Sequence, residues 1–182
     1  MEYLYAPWRS GYFKDKSTEC VFCAISKGDS PLNTKSQPLF EGRGDSAVLQ
    51  KSDFTNRVFY RNDKVFCVMN KFPYTPGHFL IIPHTHIPSP ELLDVEIWLQ
   101  MQRIAQKGVA LLKEFGAQGV NLGMNIERAG GAGIPEHLHL HLIPRFIGDT
   151  NFFTTIGDSR AYGVDFDEIF QRIYELSQKH LR

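Results

Sequence analysis

The chain lacks an apolar run long enough to span a membrane, and its start, with Glu2 and no apolar stretch behind it, lacks the pattern of a secretory signal. Those two absences predict a soluble cytoplasmic protein. Net charge is lacking too. Twenty Lys and Arg balance twenty Asp and Glu, with no long block of one sign. This speaks against a broad electrostatic grip on nucleic acid and leaves room only for a local basic pocket. Cysteine is scarce: three in a chain read as cytosolic make no disulfide framework. No internal repeat or low-complexity tract is visible, and 182 residues suit one sizeable core better than two domains. The expected organisation is a single domain over 1–182. Its first forty or so residues read as an irregular extension, broken by Pro7, Gly11, Gly28, Pro31 and Pro38.

Apolar spacing orders the rest. Residues 41–57 are polar and glycine-bearing and read as an exposed loop. Residues 58–70 read as extended with a turn at Asn62-Asp63, and Phe79 to Ile82 as a short buried strand between Gly77 and Pro83. Residues 89–115 carry the clearest helix, with Ser89 as N-cap, Pro90 in the first turn and Gly116 as C-terminal cap. Leu93, Ile97, Met101, Ile104, Gly108 and Leu111 recur every three or four residues and make one buried stripe. Strands are predicted at 120–126 and 137–143, joined by a glycine loop. A last helix runs from about Phe166 to Lys179, with Asp165 capping and Glu168 three residues on. Strands, helix, strands and helix with short connections predict an α+β fold. Its sheet is mainly antiparallel, and the long helix and the C-terminal helix pack on one face.

What the chain does have is patterned histidine. Six of its seven histidines fall in two groups, His78/His84/His86 and His137/His139/His141, leaving only His180 apart. In His137-Leu138-His139-Leu140-His141 the strand period puts three imidazoles on one face and the leucines, with Leu142, toward a core. Buried ring nitrogens need partners, so three such rings on one face are costly without work to do. Just upstream, Gly130-Gly131-Ala132-Gly133 offers backbone N–H groups that can converge on an anion. Histidines beside an amide-rich loop suggest a nucleophile beside a phosphate; the rival readings are a solvated histidine stripe and a purely metal-binding face.

Cys20-Val21-Phe22-Cys23 has the spacing of a redox pair or of half a zinc site. The redox reading is weaker, because no strand–helix–strand pattern surrounds the pair. Zinc takes four N or S ligands, and two histidines from neighbouring strands would complete the set. Spacing alone does not choose which two. Cys67, within Val65 to Met69, reads as a small buried hydrophobe.

These residues together resemble a known family. His137-Leu138-His139-Leu140-His141-Leu142-Ile143 matches the histidine triad pattern of alternating His and apolar residues. Other landmarks agree in order: the two cysteines, Met69-Asn70 to Pro76-Gly77-His78, Ile82-Pro83-His84-Thr85-His86, and Asn121 to Asn125. The chain is most similar to the bacterial diadenosine tetraphosphate phosphorylase branch, which shares the Ala6-Pro7-Trp8-Arg9 start, Phe72 to His78, Ala132-Gly133-Ile134, and Gly148 to Phe152. The resemblance covers roughly residues 5–155.

The resemblance implies a role for each matching residue. His139 would attack the nucleotide α-phosphate and form a nucleotidyl-histidine intermediate, with His141 and His78 shaping the phosphate site. Asn125 and the loop amides near Gly131 and Gly133 would hold the phosphoryl oxygens. Asn70 stands where relatives usually carry an acidic residue on the ribose hydroxyls; it still accepts a hydrogen bond and also donates. Phe66, Val68 and Phe72 are placed for an apolar adenine slot or for plain core. Zinc-bearing members imply Cys20, Cys23, His86 and His137 as a closed, structural zinc site, with no organic cofactor. Trp8-Arg9 would pack the N-terminus or meet a second nucleotide, and Arg145 and Asn151 would reach phosphate or serve the loop ends. The implied reaction is phosphorolysis of diadenosine tetraphosphate to ATP and ADP, in a homo-dimer or larger assembly. The rivals are hydrolysis of a dinucleoside polyphosphate or nucleoside phosphoramidate, a nucleotide-binding module with little turnover, and a hydrolase with an open zinc.

Overall fold

The computed structural model describes residues 19–29, 49, 51–157 and 164–182. Trp8 and Arg9 lie outside them. Five strands, β1 (Val58–Arg61), β2 (Val65–Met69), β3 (Phe79–Pro83), β4 (Gly119–Gly123) and β5 (Leu140–Arg145), form one sheet in the order β1-β2-β3-β5-β4. Every neighbouring pair is antiparallel. Helices α3 (Val95–Phe115) and α5 (Phe166–His180) cover one face, burying Met101, Ile104, Leu111, Ile169, Phe170 and Ile173 against Cys67, Phe79, Ile81, Leu140 and Leu142. This is the expected α+β arrangement.

The opposite face carries a smaller cluster of Val58, Phe66, Val68, Leu80 and Ile82, covered by Phe22 and Ile25 of α1 (Val21–Lys27). The segment read as irregular therefore contains a helix. It is short enough to hide from periodicity, and it ends at Gly28, whose φ of 89° makes the left-handed cap that glycine adopts without steric cost. The loop read at 41–57 needs a similar correction. Lys51–Thr55 form α2, and Asp53 and Asn56 are buried rather than solvated. Arg61 binds the Asp53 carboxylate, and the Asn56 Nδ2 donates to the Asp29 carbonyl.

The long helix starts later than the Ser89-Pro90 signal predicts. Pro90–Leu92 make a single 3-10 turn, Leu93 reverts to extended backbone and buries its side chain, and Asp94 then caps α3 by accepting from the Glu96 amide. Gly116 closes α3 as expected, with φ 119°. α3 crosses the sheet closely at Gly108, where a β-carbon would lie 2.7 Å from Leu142 Cδ2 and 3.0 Å from Phe79 Cζ. The strand predicted from His137 begins only at Leu140, because the Leu138 amide pairs with the Ile87 carbonyl beyond the end of β3. The leucine–histidine alternation nevertheless holds. Leu138, Leu140 and Leu142 join the large core, while His141 lies across from Leu80 on the other face. The last short helix, α4 (Phe152–Thr155), is capped by Asn151, whose side chain is thereby occupied in the loop. Among the described residues, no helix is long and apolar enough to cross a membrane.

Candidate active site and metal centre

Two groups of side chains meet at the start of β5, one at each end of the histidine run. At the lower end, α1 brings Cys20 and Cys23 to His86, just past β3, and to His137. The His86 Nδ1 stands 3.1 Å from the Cys23 sulfur, and the His137 Nδ1 3.4 Å and 3.6 Å from the Cys20 and Cys23 sulfurs. All four ligand atoms lie within 4.8 Å of one another. Tetrahedral zinc with ordinary bond lengths would put its sulfur and nitrogen ligands about 3.6 Å apart. Donor set and spacing therefore both fit that ion. The His137 Nε2 donates to the Pro83 carbonyl at 2.9 Å, which leaves Nδ1 as the lone-pair nitrogen facing the thiols. Burial, more than any other cause, pushes His137 down to about 4 and holds it neutral, the form that ligates. Burial and the neighbouring Cys20 push the Cys23 thiol up to about 11. A divalent cation would reverse that balance and favour the thiolate.

One residue pair along the strand, the pattern of partners inverts. The His139 Nδ1 lies 2.8 Å from the His137 carbonyl, and a carbonyl only accepts, so Nδ1 carries the proton and Nε2 the lone pair. Burial lowers the His139 pKa, against the opposing pull of that carbonyl, and the ring is a neutral base. Its ring neighbours are Phe22 of α1, with centroids 5.3 Å apart, and His141 at 5.0 Å.

At the upper end, His141 and His78 are linked. The Tyr74 backbone N–H donates to His78 Nδ1 at 3.1 Å, so the His78 proton sits on Nε2 and is donated to His141 Nδ1 at 3.0 Å. By the same logic the His141 proton is on Nε2. The Tyr74 ring stacks on His78 with an interplanar angle of 13°. Nothing in the residue spacing pointed to Tyr74, because its contribution is a main-chain N–H and a ring face. Asn70 belongs to this group: its Oδ1 accepts from the Phe72 amide, and its Nδ2 lies 3.3 Å from His78 Nδ1.

The remaining sequence candidates are distributed around these two groups. β4 ends at Gly123, which pairs with His141, and the half-buried Asn125 follows two residues beyond that pair. Gly131 and Gly133 are exposed on the loop that follows. Gly131 has φ 86° and its amide donates to the Arg128 carbonyl, while a β-carbon on Gly130 would sit 2.3 Å from the Ile126 carbonyl oxygen. Both glycines are thus required by the turn itself. Phe66 and Val68 are filled core beneath α1. Phe72 is half-buried, with the Lys71 ammonium 5.7 Å from its ring. Arg145 holds Asp149 through Nε and Nη2 and reaches Asn121 with Nη1, so its guanidinium is engaged within the loop.

Comparison with known proteins gives a consistent picture. The HIT domain family matches residues 51–148. An AP-4-A phosphorylase of Mycobacterium tuberculosis is 30% identical over 163 residues, covering 88% of this chain and 76% of that protein. An asymmetrical bis(5'-nucleosyl)-tetraphosphatase of Schizosaccharomyces pombe is 30% identical over 95 residues, half of each chain. Among solved structures, a Zn-bound histidine triad family protein from Mycobacterium smegmatis superposes with a TM-score of 0.65. It shares 24% identity, over 88% of this chain and 94% of that one.

Proposed function

The chain belongs to the HIT domain family, and on that premise we propose that it is a nucleotidyltransferase that cleaves diadenosine tetraphosphate by phosphorolysis. The observation that carries the reading is the His139 ring. It is neutral, buried, protonated at Nδ1 toward the His137 carbonyl, and presents Nε2 as a nucleophile. In the proposed reaction the Nε2 lone pair forms a bond to the α-phosphorus as the bond to the bridging oxygen breaks, releasing ATP. The carbonyl of His137, accepting from Nδ1–H, would stabilise the positive charge that develops on the ring until the P–N bond breaks again. An oxygen of inorganic phosphate then attacks the same phosphorus, the P–N bond breaks, and ADP leaves. Diadenosine tetraphosphate and phosphate in, ATP and ADP out, balances. His78 and His141 would supply a directed donor to the phosphoryl group, and Asn125, two residues beyond the Gly123–His141 pair, would join them. Asn70 and Phe72 are proposed around the nucleoside, whereas Phe66 is buried in the core beneath α1 and is not.

Cys20, Cys23, His86 and His137 would hold a structural zinc. With four protein ligands it would cross-link α1 to the strand and leave no position for substrate. The proposal includes a cytoplasmic homo-dimer or larger assembly.

The phosphorylase relative supports phosphate as the second substrate, and the tetraphosphatase relative supports a second reading in which water resolves the same intermediate. Incubation of the purified protein with diadenosine tetraphosphate, with and without phosphate, separates them. Phosphorolysis requires turnover that rises and saturates with phosphate, label from phosphate in the terminal position of ADP, and AMP release when arsenate replaces phosphate. AMP formed at the same rate with neither anion present would replace phosphorolysis by hydrolysis, and no turnover at all would leave a nucleotide-binding module.

A further inference from the structure

α1 has only seven residues, too few to persist as an isolated helix. It is held from both ends. At its N-terminal end the two cysteines face His86 and His137. At its C-terminal end the Arg61 guanidinium reaches the Ser26 carbonyl at 2.8 Å and the Ile25 carbonyl at 3.0 Å, two last-turn acceptors, of which the Ile25 carbonyl also accepts from the Gly28 amide of the cap. Asp53, fully buried on α2, fixes that guanidinium through Nη2 at 2.5 Å and Nε at 3.3 Å. His84, the one histidine of its group outside both the metal quartet and the His78–His141 pair, makes a second tie. Its Nδ1 accepts from the Ser26 hydroxyl at 2.7 Å, and its Nε2 donates to the Asn62 carbonyl at 2.9 Å.

Between the two anchors stands Phe22. Its ring lies 5.5 Å from the His137 ring, nearly perpendicular, and 5.3 Å from the His139 ring. Among the described residues the His139 imidazole has one directional restraint, the bond from Nδ1 to the His137 carbonyl, and a hydrogen bond alone leaves the ring free to tilt about it. Ring contact from Phe22 limits that tilt. The geometry points to Phe22 as a positioning residue for the His139 imidazole, kept in place by Arg61 and His84 through α1. This rests on the reading of His139 as the nucleophile. Arg61 touches neither histidine 137 nor 139 in any described contact and acts through the helix.

The consequence is specific. Freed at its C-terminal end, α1 would pivot about the thiol cluster, Phe22 would leave the ring, and in-line attack would suffer while nucleotide binding would not. Misplacement of a reacting group by about 1 Å costs on the order of 100-fold in rate. The test compares Phe22→Leu, Arg61→Gln, the double variant and Arg61→Lys in the full chain, each shown to carry the same metal content. Steady-state kinetics on diadenosine tetraphosphate with phosphate should show kcat lowered about 10- to 100-fold in both single variants, with KM within about threefold. The double variant should be no slower than the slower single one, because both act on the same ring. Arg61→Lys, able to reach one carbonyl but not two, should fall in between. Nitrogen-15 NMR of the histidine rings should show one His139 tautomer, protonated at Nδ1, in the unaltered protein and mixed tautomers in Phe22→Leu and Arg61→Gln. If Arg61→Gln does not fold, Ser26→Ala breaks the His84 tie and takes its place. Multiplying effects in the double variant, a slow Arg61→Gln beside a normal Phe22→Leu, or unchanged tautomers in both would overturn the proposal. The tautomer measurement needs no substrate, so a protein inactive on diadenosine tetraphosphate would sink the functional reading and still leave this one decided.

Discussion

His137 and His139 differ by two positions on one face and carry their protons on opposite nitrogens. For His137 the acceptor is the Pro83 carbonyl at Nε2; for His139 it is the carbonyl of His137 at Nδ1. One ring therefore turns its Nδ1 lone pair to a thiol cluster, and the other keeps its lone pair on Nε2. The proposed nucleophile and the proposed metal ligand, identical in residue type, are distinguished by which carbonyl each ring meets. Replacing His139 with Asn removes the attacking nitrogen. Turnover should be abolished while nucleotide affinity, measured by calorimetry, stays within about tenfold, or ~1.4 kcal/mol. A variant that keeps more than a few per cent of the rate would move the nucleophile elsewhere.

At the scale of elements, α3 lies on the sheet through Gly108. Alanine there would improve helix propensity by about 1 kcal/mol. The added methyl, however, meets Leu142 and Phe79, both fully buried and without room to swing aside. Overpacking of that kind costs about 1–3 kcal/mol, so Gly108→Ala should lower stability in urea unfolding; a gain would show that helix and sheet separate more easily than the contacts imply. The turn after β5 invites a pH test. Arg145, with the Phe146 amide and the Thr150 hydroxyl, holds the Asp149 carboxyl well below the usual carboxylate range. A group depressed in the folded state contributes stability that is present above its unfolded pKa, about 3.9, and lost as pH falls through the folded one. Asp149→Asn should therefore be less stable than the unaltered protein by up to about 1 kcal/mol from pH 8 to 5, given the part-exposed arginine. That gap should close below about pH 4. A difference that persists unchanged at pH 2.5 would assign the effect to something other than charge.

For the whole molecule, the sheet separates two unequal jobs. The α3–α5 side is a continuous apolar core of large side chains, and the α1 side combines a small cluster with the thiols and imidazoles. None of the four candidate metal ligands belongs to the first side. Removing metal by chelation, or replacing Cys23 with Ser, should release α1 and lower the melting temperature while circular dichroism retains the signal of α3 and α5. Metal analysis of untagged protein should find one zinc per chain. Protein that is metal-free as isolated and melts at the same temperature with and without added zinc would remove the structural zinc.

Periodicity alone determined much of this molecule. The leucine–histidine alternation placed three imidazoles opposite the core, the three-to-four spacing marked the buried stripe of α3, and Gly116 and Asp165 marked helix ends where the structure has them. These are local properties, set by neighbours a few residues apart. The resemblance to histidine triad proteins then chose Cys20, Cys23, His86 and His137, which spacing had left open. Only the tertiary structure decided the rest. It put α1 on the histidine face and turned the polar 51–57 segment inward onto Arg61. It occupied the Gly131 amide within its own turn and gave His137 and His139 their opposite tautomers. Each of these depends on a partner remote in the chain or on a backbone group whose direction no side chain announces: Cys20 reaches His137 across 117 positions, and Arg61 reaches Ile25 across 36. Residue types announce which groups need partners, and chain topology decides which partners come within hydrogen-bonding distance.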